Sequence, residues 1–584
     1  MTGFNKCQLI LACLILGAVC SLAKPTSNYG LKSLRTGKLY SSMTCKACEV
    51  GVGLVKDLLK IHVSEDFIAK RLLGVCKLFK IEKDDVCDGV VKEFKVELLS
   101  VLKETDKSSE DTCVQMFGSI CAGSAYDPEL VWSVKMPNTN KPAYQTPKPQ
   151  EGAPTLRILQ LSDIHLDENY AVGSNTDCGE PLCCRGSNGL PSTAADGAGY
   201  WGDYRNCDIP PRMFDSLLSH LKSEKFDMIY WTGDLPPHDI WKQSRLGQIT
   251  LMQKLTDKLL LYFPNTPIYS SVGNHESAPV DSFPPPFITG NSSESWLYNT
   301  LAKTWSHWLP QSAAPTIKYG AFYTVLVKKG FRIVSINTNY CDHMNWWLIM
   351  NVTDPAQELQ WLIGTLQQAE NNEEKVHILG HIPPGDSTCY RVWSQNYHRI
   401  IVRYANTITG QFFGHTHYDH FELFYDPQSK KPVSVGYISP SVTTYSQLNP
   451  GYRVYTVDGV HPNSTWTVLD HETSFLNLTL ANTHNKTVWQ KEYSVKSTYN
   501  MSNLLPSSWH EYVERLHTDD TAFNQFYNHY YKMNPVSTCD TVCKDTMLCS
   551  LQTATYGDST YCSNQTKSSS DAIRRHQSSL RKVC

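Results

Sequence analysis

The sequence of 584 residues has no surplus of positive charge: 53 lysines and arginines face 56 aspartates and glutamates, a formal charge of -3. There is no long basic or acidic run either, so the electrostatic footprint of nucleic-acid binding is missing and nucleic acid is not expected as a partner. No stretch reaches the ~18 consecutive apolar residues that a membrane-spanning helix needs. No internal repeat at a solenoid period is evident, which sets stacked-repeat architectures aside. Glycosylation sequons of the form N-x-S/T are absent before position 291.

What is present points to a secreted, multi-domain chain. The length suggests about three or four domains. Lys6, the apolar run Leu9 to Val19 and the small-residue pattern Ser21-Leu22-Ala23 read as a secretory leader over residues 1–23, with the mature chain starting at Lys24. Three of the 20 cysteines lie in that leader; the 17 that remain make eight pairs and one over. In an oxidising compartment such thiols form bridges. Sequons at Asn291, Asn351, Asn463, Asn477, Asn485, Asn500 and Asn564 agree with an extracytoplasmic route.

Residues 43 to 122 form a unit with six cysteines, Cys45, Cys48, Cys76, Cys87, Cys113 and Cys121. Its body has helical periodicity, since Val90, Phe94, Leu98 and Leu102 recur every four residues while Lys92, Glu93, Lys95 and Glu97 fall elsewhere. Val52, Val55 and Leu59 mark an earlier helix. Cys45 and Cys48 have the spacing of half a zinc site, but the other spacings fit no zinc ribbon, and the secretory context favours bridges. The apolar stripes fit either a lipid-engaging surface or the filled core of a small disulfide-stapled bundle.

Residues 136–154 are proline-rich without apolar periodicity and read as a semi-rigid linker. After them, short apolar runs alternate with helical stretches: Leu156 to Leu161, Met228 to Thr232, Ile268 to Val272, Arg332 to Ile336, Val376 to Leu379 and Gln411 to Phe413. That alternation predicts an α/β sandwich over 155–455. Beyond it, a C-terminal region (456–584) is sequon-rich, then helical from Ser507 to Tyr531, and closes with Cys539, Cys543, Cys549, Cys562 and Cys584.

Strands of the central domain are followed by loops with metal-ligand residue types: Asp163-Ile164-His165, Gly233-Asp234, Gly273-Asn274-His275-Glu276, Gly380-His381 and Gly414-His415-Thr416-His417. Open α/β sheets place their sites at the carboxyl ends of strands, so five loops distant in sequence can converge. One such histidine means little; five loops in this order match the calcineurin-like metallophosphoesterase signature over roughly residues 156 to 425. That resemblance implies a sandwich fold and assigns Asp163, His165 and His417 to one metal ion, Asn274, His381 and His415 to a second, and Asp234 to the bridge between them. A carboxylate can serve two cations, whereas a neutral imidazole offers one lone pair. The donor set makes zinc the first choice, with iron and manganese left open. His275 is free of metal duty and, by the resemblance, protonates the leaving alcohol; His238 resembles a second active-site histidine, with loop capping as its plain alternative.

The N-terminal unit (41–125) resembles a saposin B-type domain. Together with the linker, the phosphoesterase core and the cysteine-bearing C-terminal region, it gives nearly the whole mature chain a resemblance to the acid sphingomyelinase family. Ala198-Gly199-Tyr200-Trp201-Gly202, Tyr230-Trp231-Thr232-Gly233-Asp234, Val272-Gly273-Asn274-His275-Glu276, Ser282-Phe283-Pro284-Pro285-Pro286-Phe287 and Asn449-Pro450-Gly451-Tyr452-Arg453 carry it. The resemblance implies hydrolysis of sphingomyelin, in membranes or lipoproteins, to ceramide and phosphocholine, with the saposin-like domain presenting lipid at the membrane surface. It implies a monomer, secreted or lysosomal, with bridges Cys45-Cys121, Cys48-Cys113, Cys76-Cys87, Cys178-Cys183, Cys184-Cys207, Cys341-Cys389, Cys539-Cys543 and Cys549-Cys562; Cys584 is left over. It places Tyr445 near the phosphocholine. One departure stands out: Met344 occupies the position beside Asn345 where the family has an acidic residue. Two rivals remain, a relative acting on nucleotides or other soluble phosphodiesters and a non-enzymatic lipid-binding protein, and all seven ligand positions being filled argues against the second.

Overall fold

The computed structural model describes residues 37–117, 121, 131–139 and 141–562. The leader, Asn564 and Cys584 lie outside the described residues. Among these residues no helix is long and apolar enough to cross a membrane.

Among the described residues the N-terminal domain has four helices: α1 (Gly37–Lys60), α2 (Glu65–Leu78), α3 (Asp84–Glu104) and α4 (Ser109–Phe117). Cys45–Cys121, Cys48–Cys113 and Cys76–Cys87 bridges staple them. Val90, Phe94, Leu98 and Leu102 lie on the buried side of α3, as their four-residue spacing predicts. α3 buries more than that stripe. It also packs on a turn of the central domain at Trp346–Ile349, with Phe94 and Trp346 ring centroids 5.9 Å apart. Leu182, Ile240, Trp241, Val280 and Tyr445 join the same apolar cluster. Glu97, which the periodicity leaves on the polar side, is therefore buried at the junction.

The central domain stacks two six-stranded sheets. One has the order β12-β11-β10-β1-β2-β3 and the other β4-β5-β6-β7-β9-β8. Its strands are β1 (Thr155–Leu161), β2 (Met228–Trp231), β3 (Ile268–Ser270), β4 (Tyr323–Lys328), β5 (Phe331–Ser335), β6 (Lys375–Leu379), β7 (Ile408–Phe413), β8 (His420–Tyr425), β9 (Pro432–Ile438), β10 (Gly451–Asp458), β11 (Val468–Leu476) and β12 (Trp489–Ser494). β1, β2 and β3 run parallel, as do β5, β6, β7 and β9. The sheets meet through aromatic rings around Phe412 and a few paired polar groups, Gln160 Nε2 donating to the Phe413 carbonyl at 3.0 Å and Tyr230 bonding His377 at 2.7 Å.

The domain boundary at 455/456 needs correction. It falls inside β10, which pairs antiparallel with β1, while β11 and β12 extend the same sheet. Helices dominate the chain after that. The stretch from Ser507 to Tyr531 is two helices, Pro506–Thr518 (α5) and Asp520–Tyr530 (α6), divided at Asp519, whose carboxylate accepts from the Thr521 and Ala522 amides and so caps the second. α5 and Thr541–Leu551 (α7) pack on β8, and α5 also packs on β9.

The linker is tied down rather than free. The Gln145 amide donates to Asn406 Oδ1 at 2.7 Å, the Val134 amide donates to Asn396 Oδ1 at 3.0 Å, and Lys141 pairs with Asp426. Five further disulfides, Cys178–Cys183, Cys184–Cys207, Cys341–Cys389, Cys539–Cys543 and Cys549–Cys562, pin irregular segments. Asn291, Asn351, Asn463, Asn485 and Asn500 are exposed, whereas Asn477 is half-buried and accepts from the Leu480 amide at 3.0 Å as a helix cap.

Candidate metal centre

Each strand that points its carboxyl end at the site turns sharply as it leaves the sheet. Asp163, His165, Asp234, His415 and His417 all adopt positive φ, between 42° and 71°, a conformation that costs about 1–3 kcal/mol per non-glycine residue and concentrates at functional sites. Gly233 precedes Asp234 because a Cβ there would collide with the Gly273 backbone. Backbone bonds lock the loops together: the Asp163 amide donates to the Gly233 carbonyl at 3.0 Å and the His165 amide to the Asp234 carbonyl at 3.1 Å.

The seven side chains assigned to metal converge in two groups that share Asp234. In one, His165 Nε2 lies 3.5 Å from Asp234 Oδ2, 3.2 Å from His417 Nε2, and His417 Nε2 lies 3.6 Å from Asp163 Oδ1. In the other, His381 Nε2 lies 3.1 Å from Asp234 Oδ2 and 3.0 Å from Asn274 Oδ1, with His415 Nδ1 at 3.1 Å from the same Asn274 oxygen. All are buried except His415, which is half-buried.

These donors are prepared for cations. His165 Nδ1 donates to the Pro236 carbonyl at 2.7 Å and His381 Nδ1 to the Thr232 carbonyl at 2.6 Å, which leaves each Nε2 lone pair directed at Asp234. Asn274 Nδ2 donates to Asp281 at 2.8 Å, which turns its Oδ1 toward the histidines. Two imidazole nitrogens 3.2 Å apart beside carboxylates make a setting that favours a positive charge. The protonation balance says the same. Burial opposes charge on His165 and His381, but Asp234 between them outweighs it and raises them to about 9 and about 10. Burial also opposes charge on Asp234, yet the His381 and His275 imidazoles hold its carboxylate well below the ordinary range. The residues fit divalent cations: Asp234, His381 and His415 place one ligand atom each within 4.8 Å of one another, and His165 forms like groups with His417 and His238 and with Asp234 and His275.

His275 and His238 stand over the same point. The His275 amide donates to Asp234 Oδ1 at 2.9 Å, and its ring meets His165 and His238 at centroid distances of 4.8 and 4.7 Å. His238 is held by Asp208, which accepts from its Nδ1 at 2.8 Å and from its backbone amide at 2.8 Å. Its Nε2 is buried with no hydrogen-bond partner among the described residues. Tyr445 stacks on His238 at 3.9 Å, and its hydroxyl donates to the Pro181 carbonyl at 2.9 Å, so it offers the site a ring face rather than a hydroxyl. The Met344 amide donates to Asp342 at 2.8 Å, which places a buried carboxyl two residues from the departure seen in the sequence.

Several supporting residues were not visible in the sequence. Glu276 accepts from the amides of Gly273, Asp234 (3.1 Å) and Leu235 (2.7 Å), clamping two loops without acting as a ligand. Arg185 grips Asp167 with two bonds, 2.8 and 2.9 Å, and Asp239 with a third, tying the segments beside His165 and His238. A sixth loop follows β9. The Ser441, Val442 and Thr443 amides donate to the carbonyls of His417, Ser162 and Asp163, and Thr443 Oγ1 donates to Asp208 at 2.9 Å.

The calcineurin-like phosphoesterase family model matches residues 156–419, and the model of the acid sphingomyelin phosphodiesterase C-terminal region matches residues 431–569. Human sphingomyelin phosphodiesterase is 43% identical over 515 residues, covering 87% of this chain and 81% of the human one. Sphingomyelin phosphodiesterase 2 of Caenorhabditis elegans is 36% identical over 550 residues, covering 90% of this chain and 89% of its own. Mouse acid sphingomyelinase-like phosphodiesterase 3b is 31% identical over 440 residues, covering 90% of its own length but 70% of this chain. With likeness of that extent running through both the metal loops and the region beyond them, the chain belongs to the sphingomyelin phosphodiesterase family.

Proposed function

We propose that this chain hydrolyses sphingomyelin to ceramide and phosphocholine with a pair of divalent cations, zinc first among them. The observation that carries this reading is the gathering of six metal-ligand side chains around Asp234, with His165 and His381 held by backbone carbonyls, in a chain whose relatives are named for that substrate over four-fifths or more of their own length.

Asp163, His165 and His417 would hold one cation, Asn274, His381 and His415 the other, and Asp234 both. Such a pair supplies Lewis-acid polarisation of a phosphoryl group and a water acidic enough to attack it. The chain's own residues do the rest. Asp208 accepts the hydrogen bond from His238 Nδ1, so Nε2 is the atom left to exchange a proton with, or bond to, the phosphodiester. His275, pinned through its backbone to Asp234, stands where it can protonate the departing ceramide oxygen. The surrounding rings of Tyr445 and Trp241 and the buried setting limit bulk water.

The saposin-like domain supports a membrane substrate. Val50, Leu54, Ile61, Phe67, Leu78 and Phe79 are exposed on its first two helices and the turns that follow them. A secreted or lysosomal monomer is part of the same proposal, supported by the leader, the eight disulfides and the exposed sequons.

The deciding experiment assays the purified protein on sphingomyelin vesicles and on nucleotides across pH 4 to 8, before and after chelation and with zinc add-back. Hydrolysis of sphingomyelin that disappears with chelator and returns with zinc is expected. Faster turnover of nucleotides would assign the chain to soluble phosphodiesters instead, and activity indifferent to chelation would end the two-cation reading.

A further inference from the structure

One side chain of the C-terminal region reaches the loop after β9 from a fully buried position. Lys532 lies just beyond α6 at a φ of 51°, and its carbonyl accepts from Asn449 Nδ2 at 2.9 Å. From that anchor its side chain turns inward and is fully buried. Its stem passes so close to β10 that a Cβ on Gly451 would sit 3.0 Å from Lys532 Cδ. Its Nζ donates to the Ser441 carbonyl at 2.9 Å and to the Ser441 hydroxyl at 2.7 Å. An ammonium loses several kcal/mol of hydration on burial, so it is retained only where bonds and opposite charge compensate. Here burial lowers the ammonium from 10.5 to about 7, while the two bonds to Ser441 and the carboxylates of Asp163, Glu492 and Asp419 favour the charge.

Ser441 belongs to the loop after β9, the sixth loop at the strand ends, which carries no metal-ligand side chain. That loop nevertheless touches much of the machinery. Its amides support the backbone of His417 and Asp163, Thr443 bonds Asp208, and Tyr445 stacks on His238. Ser441 is also fixed from the other side, its carbonyl accepting from the Gly451 amide at 2.9 Å and its hydroxyl donating to the Thr443 carbonyl at 3.0 Å.

We propose that Lys532 is a positioning residue for phosphodiester cleavage: its ammonium pins Ser441, and through that loop holds Asp163, His417 and the Asp208–His238 pair in register. This rests on the two-cation reading of the site. It also gives the C-terminal region a task in catalysis, since the phosphoesterase core alone supplies no group that could replace the ammonium at Ser441 among the described residues.

The test compares wild type with Lys532→Met, which keeps the stem and removes the charge, and with Ser441→Ala, which removes one of its two acceptors. Each soluble, folded protein is assayed for kcat and KM on a water-soluble chromogenic phosphodiester. Metal content is then measured after dialysis against graded chelator. Outer groups that orient metal ligands are worth about 10–100-fold in activity or metal affinity, so Lys532→Met should lose kcat by about that factor with KM within about twofold, and should release metal at lower chelator. Ser441→Ala should move both readouts the same way by less. A lysine needed only for folding would lower yield and melting temperature while kcat and metal retention per folded molecule stayed at wild-type values, and that outcome overturns the proposal. If Lys532→Met does not fold, Ser441→Ala decides by the same criteria. Wild type that binds no metal would instead overturn the two-cation reading on which the proposal stands.

Discussion

His238 has one working nitrogen because Asp208 occupies the other. The carboxylate is buried, yet the His238 imidazole beside it holds it below its ordinary range against that burial, and Thr443 adds a donor at 2.9 Å. Asp208→Asn keeps the size but lets the amide present either end, so the ring loses its fixed tautomer. A positioned proton-transfer group is worth about 10²–10⁴-fold, so kcat on a soluble phosphodiester should fall by up to that factor. Metal content should stay at wild-type level, since Asp208 is no ligand. Retained activity with metal in place would remove His238 from proton transfer. The sequence shows why Asp208 is hard to find: it lies 30 residues before its partner in an irregular, disulfide-pinned segment, with no periodicity to mark it. The convergence of the seven residues assigned to metal was legible for the opposite reason. Imidazole, carboxylate and carboxamide directly after short apolar runs, several of them beside a glycine, are costly placements in any protein without a site. The Ser441 loop gives no such signal because it acts through backbone amides and hydroxyls.

At the scale of elements, α3 shows what periodicity can and cannot deliver. A helical pattern of one apolar stripe predicts one buried face, and the stripe at Val90, Phe94, Leu98 and Leu102 is buried as read. The second contact, with Trp346 and Trp347, draws Glu97 into the junction, where burial is the largest cause raising its carboxyl from 4.5 to about 8, with Asp281 adding to it. Ser282 and the Trp346 and Trp347 backbone lie beside it without closing a hydrogen bond. Glu294, also buried and raised to about 8, and Asp281, raised to about 7, face the same junction. The sign of the pH effect follows. The docked state holds the Glu97 proton more tightly, so its contribution to docking is full below the free value of 4.5 and is lost as pH rises through about 8. Thermal unfolding followed from pH 4 to 8 should show junction stability falling toward neutrality, and Glu97→Gln should flatten that slope because the amide has no proton to lose. A slope unchanged in Glu97→Gln would move the effect to Asp281 or Glu294. Six of the twelve described strands carry the apolar runs read from the sequence, and β11 shows why others do not: it alternates buried and half-buried positions near the edge of its sheet, so it lacks the continuous apolar run that marks the central strands.

Taken whole, the molecule sets an exposed apolar surface on the helical domain and a buried site beneath the residues on which that domain docks. Ile61 and Leu78 are 71% and 72% exposed, at the ends of α1 and α2, and neither contributes to the core of its own domain. A core-filling role for these stripes therefore explains Val52 and Val55 but not these two residues. If they enter a lipid surface, each gains about 1.5–3 kcal/mol from burial, an amount that converts to roughly 10-fold or more in binding. Ile61→Glu with Leu78→Glu should then cut turnover on sphingomyelin vesicles by at least about tenfold through KM. It should leave turnover of a soluble phosphodiester and the melting temperature at wild-type values, because exposed substitutions away from the core rarely disturb stability. Vesicle co-sedimentation of the same protein separates binding from chemistry. The docking of α3 on Trp346–Ile349 matters to the outcome as well: it seats the helical domain on the central domain, so membrane contact made by α1 and α2 is transmitted at a fixed distance to the site. Equal loss on vesicles and on the soluble substrate would mean that the apolar surface serves the fold, and that lipid reaches the site by another face.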